Sequence, residues 1–140
     1  MDWLVKNLST LGPVGTKLPA PGTFGSLVGV IIFIFLIWLL TIPPFFILLF
    51  FFLLFILGIP MCSRVEVLLG KADPPEVIWD EFTAVPLVYI FCINELDSFF
   101  ILITGFALFR FFDIAKPFGI KKLQLLSGGV GVMIDDLAAA

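Results

Sequence analysis

LVGVIIFIFLIWLLTIPPFFILLFFFLLFILGI, residues 27–59, runs for 33 positions without a charge, and its only strong break is Pro43-Pro44. About 20 residues, rising about 1.5 Å each, cross the hydrocarbon core of a bilayer, so one straight helix of this length would overshoot it. The stretch reads as two apolar helices, 27–42 and 45–59, bent at the proline pair. Each arm is short for a span, so the pair either thins the bilayer locally or forms a re-entrant hairpin, and both readings stay open here.

Composition agrees with apolar membrane arms. Hydrophobic residues make up 61% of the 140 positions, Phe accounts for 18, and charged residues for 14%. An ordinary soluble domain carries about 25% charge. A chain this short cannot enclose so much apolar side chain in a core of its own, which excludes a soluble globule and a disordered tail. The fold class expected is therefore all-α, a polytopic helical membrane protein forming one membrane-embedded domain over 1–140. The first apolar run begins only near Leu27 and lacks a small-residue cleavage site, so no cleaved signal sequence is expected.

Outward from the hairpin, residues 1–12 read as a short amphipathic start, with Leu4, Leu8 and Leu11 on one face and Trp3 suited to the membrane interface. Residues 15–26 hold three Gly, two Pro and three hydroxyl side chains and are expected to be a loop. A polar interlude covers 62–81. A second apolar pair follows, 82–93 and 99–112, split by Asn94-Glu95-Leu96-Asp97-Ser98, and Pro117 stops its last helix. With four short arms as two hairpins, Lys6, Lys17, Arg64, Lys71, Arg110, Lys116, Lys121 and Lys122 all fall on one side. The opposite turns carry only Glu95 and Asp97. The positive-inside rule makes the basic side cytoplasmic. Cys62 and Cys92 then lie near opposite faces, which argues against a disulfide between them.

Absences narrow the chemistry. The chain has no His, which removes His-nucleophile phosphatases, Ser-His-Asp hydrolases and His-ligated metal sites. Two Cys are too few for a disulfide scaffold or a structural zinc site, and neither opens a Cys-x5-Arg loop, since Leu68 and Ser98 stand at position +6. No basic cluster argues for nucleic acid. Carboxylates, Lys, Arg, hydroxyls and backbone remain.

The same topology gathers the Gly22-Thr23-Phe24-Gly25-Ser26 loop, Asp80-Glu81, Arg110, Asp113, Lys116 and Asp135-Asp136 on the basic face. The bland account is a solvated rim. Yet ionisable groups near membrane depth are expensive, and a packing protein has no need of five acids and two bases at its helix ends. Carboxylates without His or Cys favour a hard cation such as Mg²⁺, which commonly bridges to phosphate. Adjacent acids diverge by about 100° on a helix, so each pair can offer one ligand to a metal and one group to a neighbour. Arg110 and Asp113 share a helix face, where the carboxylate can hold the guanidinium in place. Arg offers a planar fork to phosphate oxygens and Lys a point charge. Gly22, Thr23, Gly25 and Ser26 precede a helix and can form an anion nest, although Gly and Ser are also ordinary N-caps.

Four ordered motifs now stand out: Pro21-Gly22-Thr23-Phe24-Gly25-Ser26; Asp73-Pro74-Pro75-Glu76-Val77-Ile78-Trp79-Asp80-Glu81; Phe109-Arg110-Phe111-Phe112-Asp113-Ile114-Ala115-Lys116-Pro117; and Gly128-Gly129-Val130-Gly131-Val132-Met133-Ile134-Asp135-Asp136. Together, from about residue 9 to the end, they closely resemble the bacterial phosphatidylglycerophosphatase A family. The resemblance implies a Mg²⁺-dependent, multi-pass phosphatase of the bacterial inner membrane, with its active-site face cytoplasmic. Such an enzyme removes the terminal phosphate of phosphatidylglycerophosphate to leave phosphatidylglycerol; the lipid's identity comes from the family alone. Two departures are visible: family members usually continue past the Asp-Asp motif into a further hydrophobic segment, and Phe118-Gly119-Ile120 stands where a second Pro is common, a change of turn stiffness.

On this reading the reaction is metal-assisted hydrolysis of a phosphomonoester. Asp80, Asp135 and Asp136 are the expected Mg²⁺ ligands, with Glu81 either a further ligand or the base that orients water. Asp113 is expected to orient Arg110, with metal ligation as its second role. Arg110 and Lys116 would neutralise the transferring phosphoryl group, and Gly22, Thr23, Gly25 and Ser26 would hold one of its oxygens. A covalent aspartyl-phosphate route lacks its Asp-x-Asp-x-Thr signature, and the Asp-rich helix repeat of a CDP-alcohol transferase is absent. The rivals from other classes are an ion-conducting subunit and a small non-catalytic membrane protein. An ion path would need ionisable residues inside the arms, and 27–59 and 82–93 hold none.

Overall fold

A computed structural model describes residues 2–117 and 119–140, and among them all regular structure is helical. Seven α-helices follow in order: α1 (Asp2–Ser9), α2 (Pro13–Lys17), α3 (Pro21–Trp38), α4 (Pro44–Leu69), α5 (Trp79–Ala84), α6 (Phe99–Ala115) and α7 (Gly129–Ala139). A 3₁₀ helix over Val85–Cys92 continues α5, and another over Ile120–Leu125 precedes α7.

The hairpin at Pro43-Pro44 is α3 and α4. Thr41 takes a left-handed backbone (φ 51°) in the turn, and Pro44 opens α4 at a position where no N–H is needed. Both helices are long and apolar enough to cross a membrane. Much of their surface is apolar and uncovered, with Phe45 and Leu57 each 63% exposed, as suits side chains solvated by lipid.

Helix boundaries differ from the sequence expectation at two places. Residues 15–26 are not a loop: α2 occupies the first part, and Pro21 through Ser26 form the opening turns of α3. Proline serves as the first helical residue, and the glycines lie where another helix approaches. A Cβ on Gly25 would stand 2.9 Å from Ile78 Cβ, and one on Gly29 would meet the carbonyl of Phe82 and stand 2.8 Å from Val85 Cγ1. Close packing thus offsets the roughly 1 kcal/mol of helix propensity that each Gly gives up. Nor does the polar interlude begin at 62. Helix α4 runs through Pro60 to Leu69 because Cys62 and Val65 are fully buried, and Gly70 (φ 64°) ends it with the left-handed turn that glycine favours.

The expected arm 82–93 has a different construction. It is the end of α5 followed by 3₁₀ helix, with Pro86 near the junction. Its first half is wedged into the middle of the bundle, with Val85, Pro86, Leu87 and Tyr89 buried. Tyr89 stacks on Phe33 of α3 (centroids 5.4 Å apart), and its hydroxyl donates to the carbonyl of Leu102 in α6 at 2.6 Å. Phe51 of α4 meets Phe82 of α5 edge-on at 5.7 Å. These aromatic contacts join four elements around one core.

Helix α7 lies against α4. A Cβ on Gly58 would come within 2.6 Å of Met133 Cε and 2.7 Å of Trp79 Cδ1, so this glycine lets α4 receive both α7 and α5. Overpacking such a contact costs about 1–3 kcal/mol. Replacing Gly29 with Val is therefore expected to lower the thermal unfolding midpoint in detergent by several degrees. An unchanged midpoint would mean that α3 and α5 are not packed as described.

Candidate active site

Four helix segments and one loop converge on a cavity of about 270 Å³. Its lining comprises Ala20, Pro21 and Gly22 at the start of α3, and Asp73, Pro75 and Val77 from the loop before α5. Asp80 and Glu81 of α5, Arg110, Asp113 and Lys116 at the end of α6, and Asp135 and Asp136 of α7 complete it.

Local bonds fix each contributor. The N–H of Ile78 donates to the carbonyl of Ser9 at 2.9 Å, and Trp79 Nε1 donates to the carbonyl of Leu54 at 3.1 Å. Those two clamps set α5 so that its first turn presents Asp80 and Glu81. On α6, Arg110 Nη1 donates to Asp113 Oδ2 at 2.5 Å and to Ser26 Oγ at 3.2 Å, and lies 3.9 Å from Glu81 Oε1. Lys116 ends α6 with a left-handed backbone (φ 42°), which turns its ammonium back to an ion pair with Asp135 and to 3.6 Å from Asp113 Oδ1. Gly22 has to be glycine, because a Cβ there would collide with Glu81 Oε1.

Carboxylates outnumber cations in this cavity, six to two. One oxygen from each of Asp80, Glu81 and Asp136 lies within 4.8 Å of the others. Asp80 Oδ1, Glu81 Oε2 and Asp136 Oδ2 are buried without a hydrogen-bond partner among the described residues. Buried polar atoms are ordinarily paired, so three carboxylates this close, each with an unpaired buried oxygen, have the chemistry that suits a small hard cation. The residues present therefore fit a divalent ion such as Mg²⁺.

Electrostatics follow from crowding. Burial, and then the charge of Glu81, push the Asp80 carboxyl well above the usual range; burial and the same neighbour do so for Asp136. Glu81 is pushed up to about 7, chiefly by burial, against the opposing effects of its hydrogen bond with Asp80 and the Arg110 charge. Burial alone would lower Lys116, but its bond to Asp135 outweighs this together with the surrounding acids, and its pKa is raised.

Sequence-named residues divide into three groups. Asp80, Glu81 and Asp136 form the close triad, while Asp135 pairs with Lys116 through Oδ2 and keeps Oδ1 buried without a partner among the described residues. Arg110, Asp113, Lys116 and Gly22 also line the cavity. Thr23, Gly25 and Ser26 do not: Gly25 faces Ile78, and Ser26 is fully buried, donating to the Gly22 carbonyl at 2.9 Å while accepting from Arg110. Asp73, Pro75 and Val77 also line the site, and the signal for them was the Asp-Pro-Pro-Glu run before Asp80.

The sequence matches the family model described as phosphatidylglycerophosphatase A over residues 7–140. It is 41% identical to phosphatidylglycerophosphatase A of Haemophilus influenzae, covering 97% of this chain and 87% of that protein. The protein of the same name from Escherichia coli is 30% identical, covering 85% of this chain and 67% of its own length. A Bacteroides thetaiotaomicron protein, named provisionally as a phosphatidylinositol-3-phosphatase, is 39% identical over 86% of this chain and 76% of its own. No solved structure matches. With the family model covering nearly the whole chain, this protein belongs to the phosphatidylglycerophosphatase A family.

Proposed function

We propose that the chain is a lipid phosphatase that hydrolyses phosphatidylglycerophosphate to phosphatidylglycerol and phosphate. The observation that carries this reading is one cavity holding both a cation donor set, Asp80, Glu81 and Asp136, and two anchored cations, Arg110 and Lys116. Names of relatives supply the lipid; the cavity supplies the chemistry.

Asp80, Glu81 and Asp136 would hold Mg²⁺ through one oxygen each. Bound there, the ion supplies Lewis-acid polarisation and offsets the excess negative charge. Arg110 and Lys116 receive the phosphoryl oxygens, and the Gly22 N–H at the start of α3 adds a donor and the positive end of a helix dipole. Asp113 positions Arg110, and Asp135 positions Lys116. Water attacks phosphorus, the bond from phosphorus to the head-group oxygen breaks, a Glu81 oxygen not given to the ion takes the water's proton, and that proton passes to the leaving oxygen, which departs as the hydroxyl of phosphatidylglycerol.

The topology proposed with this function is two hairpins making four short membrane arms within one unit, residues 1–140. The second hairpin is the α5–3₁₀ segment with α6. The eight Lys and Arg residues support a cytoplasmic site in a bacterial inner membrane, where phospholipid head groups reach the cavity. An ion-conducting role fits less well, because the ionisable groups collect in one cavity and form no path along the helices.

Phosphate release from phosphatidylglycerophosphate in detergent micelles tests this directly. Activity should require Mg²⁺ and fall at least about 100-fold in Asp136→Asn. Release without Mg²⁺, or full activity in the variant, would refute the assignment.

A second test is thermodynamic. Carboxyls raised in the folded state favour folding while protonated, so their contribution is present below about pH 4.5 and is lost as pH rises towards 7. Metal-free protein should therefore lose thermal stability across that window. Added Mg²⁺ should restore more stability at pH 8 than at pH 5, because the ion needs the deprotonated oxygens. A Mg²⁺ effect that ignores pH would contradict this.

A further inference from the structure

Asp73 lines the cavity but belongs neither to the close triad nor to an ion pair among the described residues. Its placement is specific. The backbone is left-handed (φ 46°), and its N–H donates to Glu66 Oε1 of α4 at 2.8 Å. Its Oδ2 accepts from Gln124 Nε2 at 2.8 Å, so the side chain is steadied from the 3₁₀ helix before α7. Among the described residues Oδ1 has no partner. Asp73 is an exposed residue at the edge of the cavity; partial desolvation by its neighbours raises the carboxyl, and the charge of Lys116 opposes the rise.

We propose that Asp73 reads the substrate's head group, its free Oδ1 accepting a hydrogen bond from the glycerol hydroxyl beside the phosphomonoester. The inference rests on the proposed lipid phosphatase reading. Charge decides what such a group can meet. Phosphate oxygens are drawn to Arg110, Lys116 and the start of α3, and an anionic carboxylate at the same mouth repels them. A hydroxyl donates a proton and carries no charge, so it is the part of the head group that a carboxylate attracts. Phosphatidylglycerophosphate carries one such hydroxyl, on the carbon between its two phosphate-bearing carbons. Phosphate binding therefore positions the reacting group, and Asp73 distinguishes the alcohol attached to it.

The experiment compares phosphatidylglycerophosphate with the same lipid built on propane-1,3-diol, which lacks only that hydroxyl. Wild-type kcat/KM should favour the natural substrate by about tenfold or more, as for a hydrogen bond to a charged acceptor. Asp73→Ala should bring the ratio close to one by losing the natural substrate selectively, with Asp73→Asn intermediate because its amide oxygen still accepts. Circular dichroism and elution volume check that each variant is folded.

Several results would overturn the proposal. Equal wild-type rates on both lipids would do so without any variant. So would an Asp73→Ala protein that keeps the wild-type ratio, or that loses both substrates equally. A tenfold or larger shift in the Mg²⁺ concentration for half activity would make Asp73 a cation ligand instead. If wild-type protein releases phosphate from neither lipid, the phosphatase reading itself fails, which is distinguishable from a failure of the Asp73 assignment alone.

Discussion

The helices of this protein converge on three carboxylates, each with one buried oxygen left without a hydrogen-bond partner among the described residues. Asp80, Glu81 and Asp136 bring oxygens within 4.8 Å of one another inside a bundle whose other buried side chains are mostly apolar. Burial and mutual repulsion both penalise that arrangement, and the upward pKa shifts of all three groups express it. It persists because the backbone around it is over-determined. Ile78 is tied to the carbonyl of Ser9, Trp79 to that of Leu54, and Gly22, Gly25, Gly29 and Gly58 let helices approach more closely than any larger residue would allow. A cation at the triad would convert its largest liability into its purpose.

Both signs of charge meet in the cavity. The triad acids stand beside Arg110, which lies 3.9 Å from Glu81 Oε1. Asp113 and Asp135 each hold a cation: Asp113 grips Arg110 and approaches Lys116, while Asp135 pairs with Lys116. Anchoring of this kind costs entropy during folding and leaves less to be lost when substrate arrives. It also explains why two adjacent acids, Asp135 and Asp136, face different partners. The turn of α7 separates them by about 100°, so one meets the lysine and the other the triad.

Much of this was legible in the sequence because its strongest signals are local. An uncharged run of 33 residues with one proline pair specifies two apolar helices bent at the prolines, and α3 and α4 are those helices. Acids and bases at helix ends pointed to a phosphate and cation site, and Asp80, Glu81, Arg110, Lys116 and Asp136 do share a cavity. What was not legible depends on tertiary contact. Glycines in residues 15–26 read as helix breakers until α5 is seen lying across them, and the second arm reads as ending at 59 until the buried Cys62 and Val65 beyond it are seen. Ser26 has the chemistry of a phosphate ligand, but it lies on the face of α3 that turns inward to Arg110. Asp73 carried no local signal apart from its neighbouring prolines, since its place at the cavity is set by Glu66 across the end of α4 and by Gln124, 51 residues on.

The most direct test of the account is cation binding by the folded protein, followed by electron paramagnetic resonance with Mn²⁺ as a spin-active stand-in for Mg²⁺. Wild-type protein in detergent should bind Mn²⁺ and release it to excess Mg²⁺. Asp80→Asn should lose that site, whereas Asp135→Asn, altered outside the triad, should keep it. Failure of folded wild-type protein to bind, or undiminished binding by Asp80→Asn, would contradict the claim that these three carboxylates are held together for a metal ion.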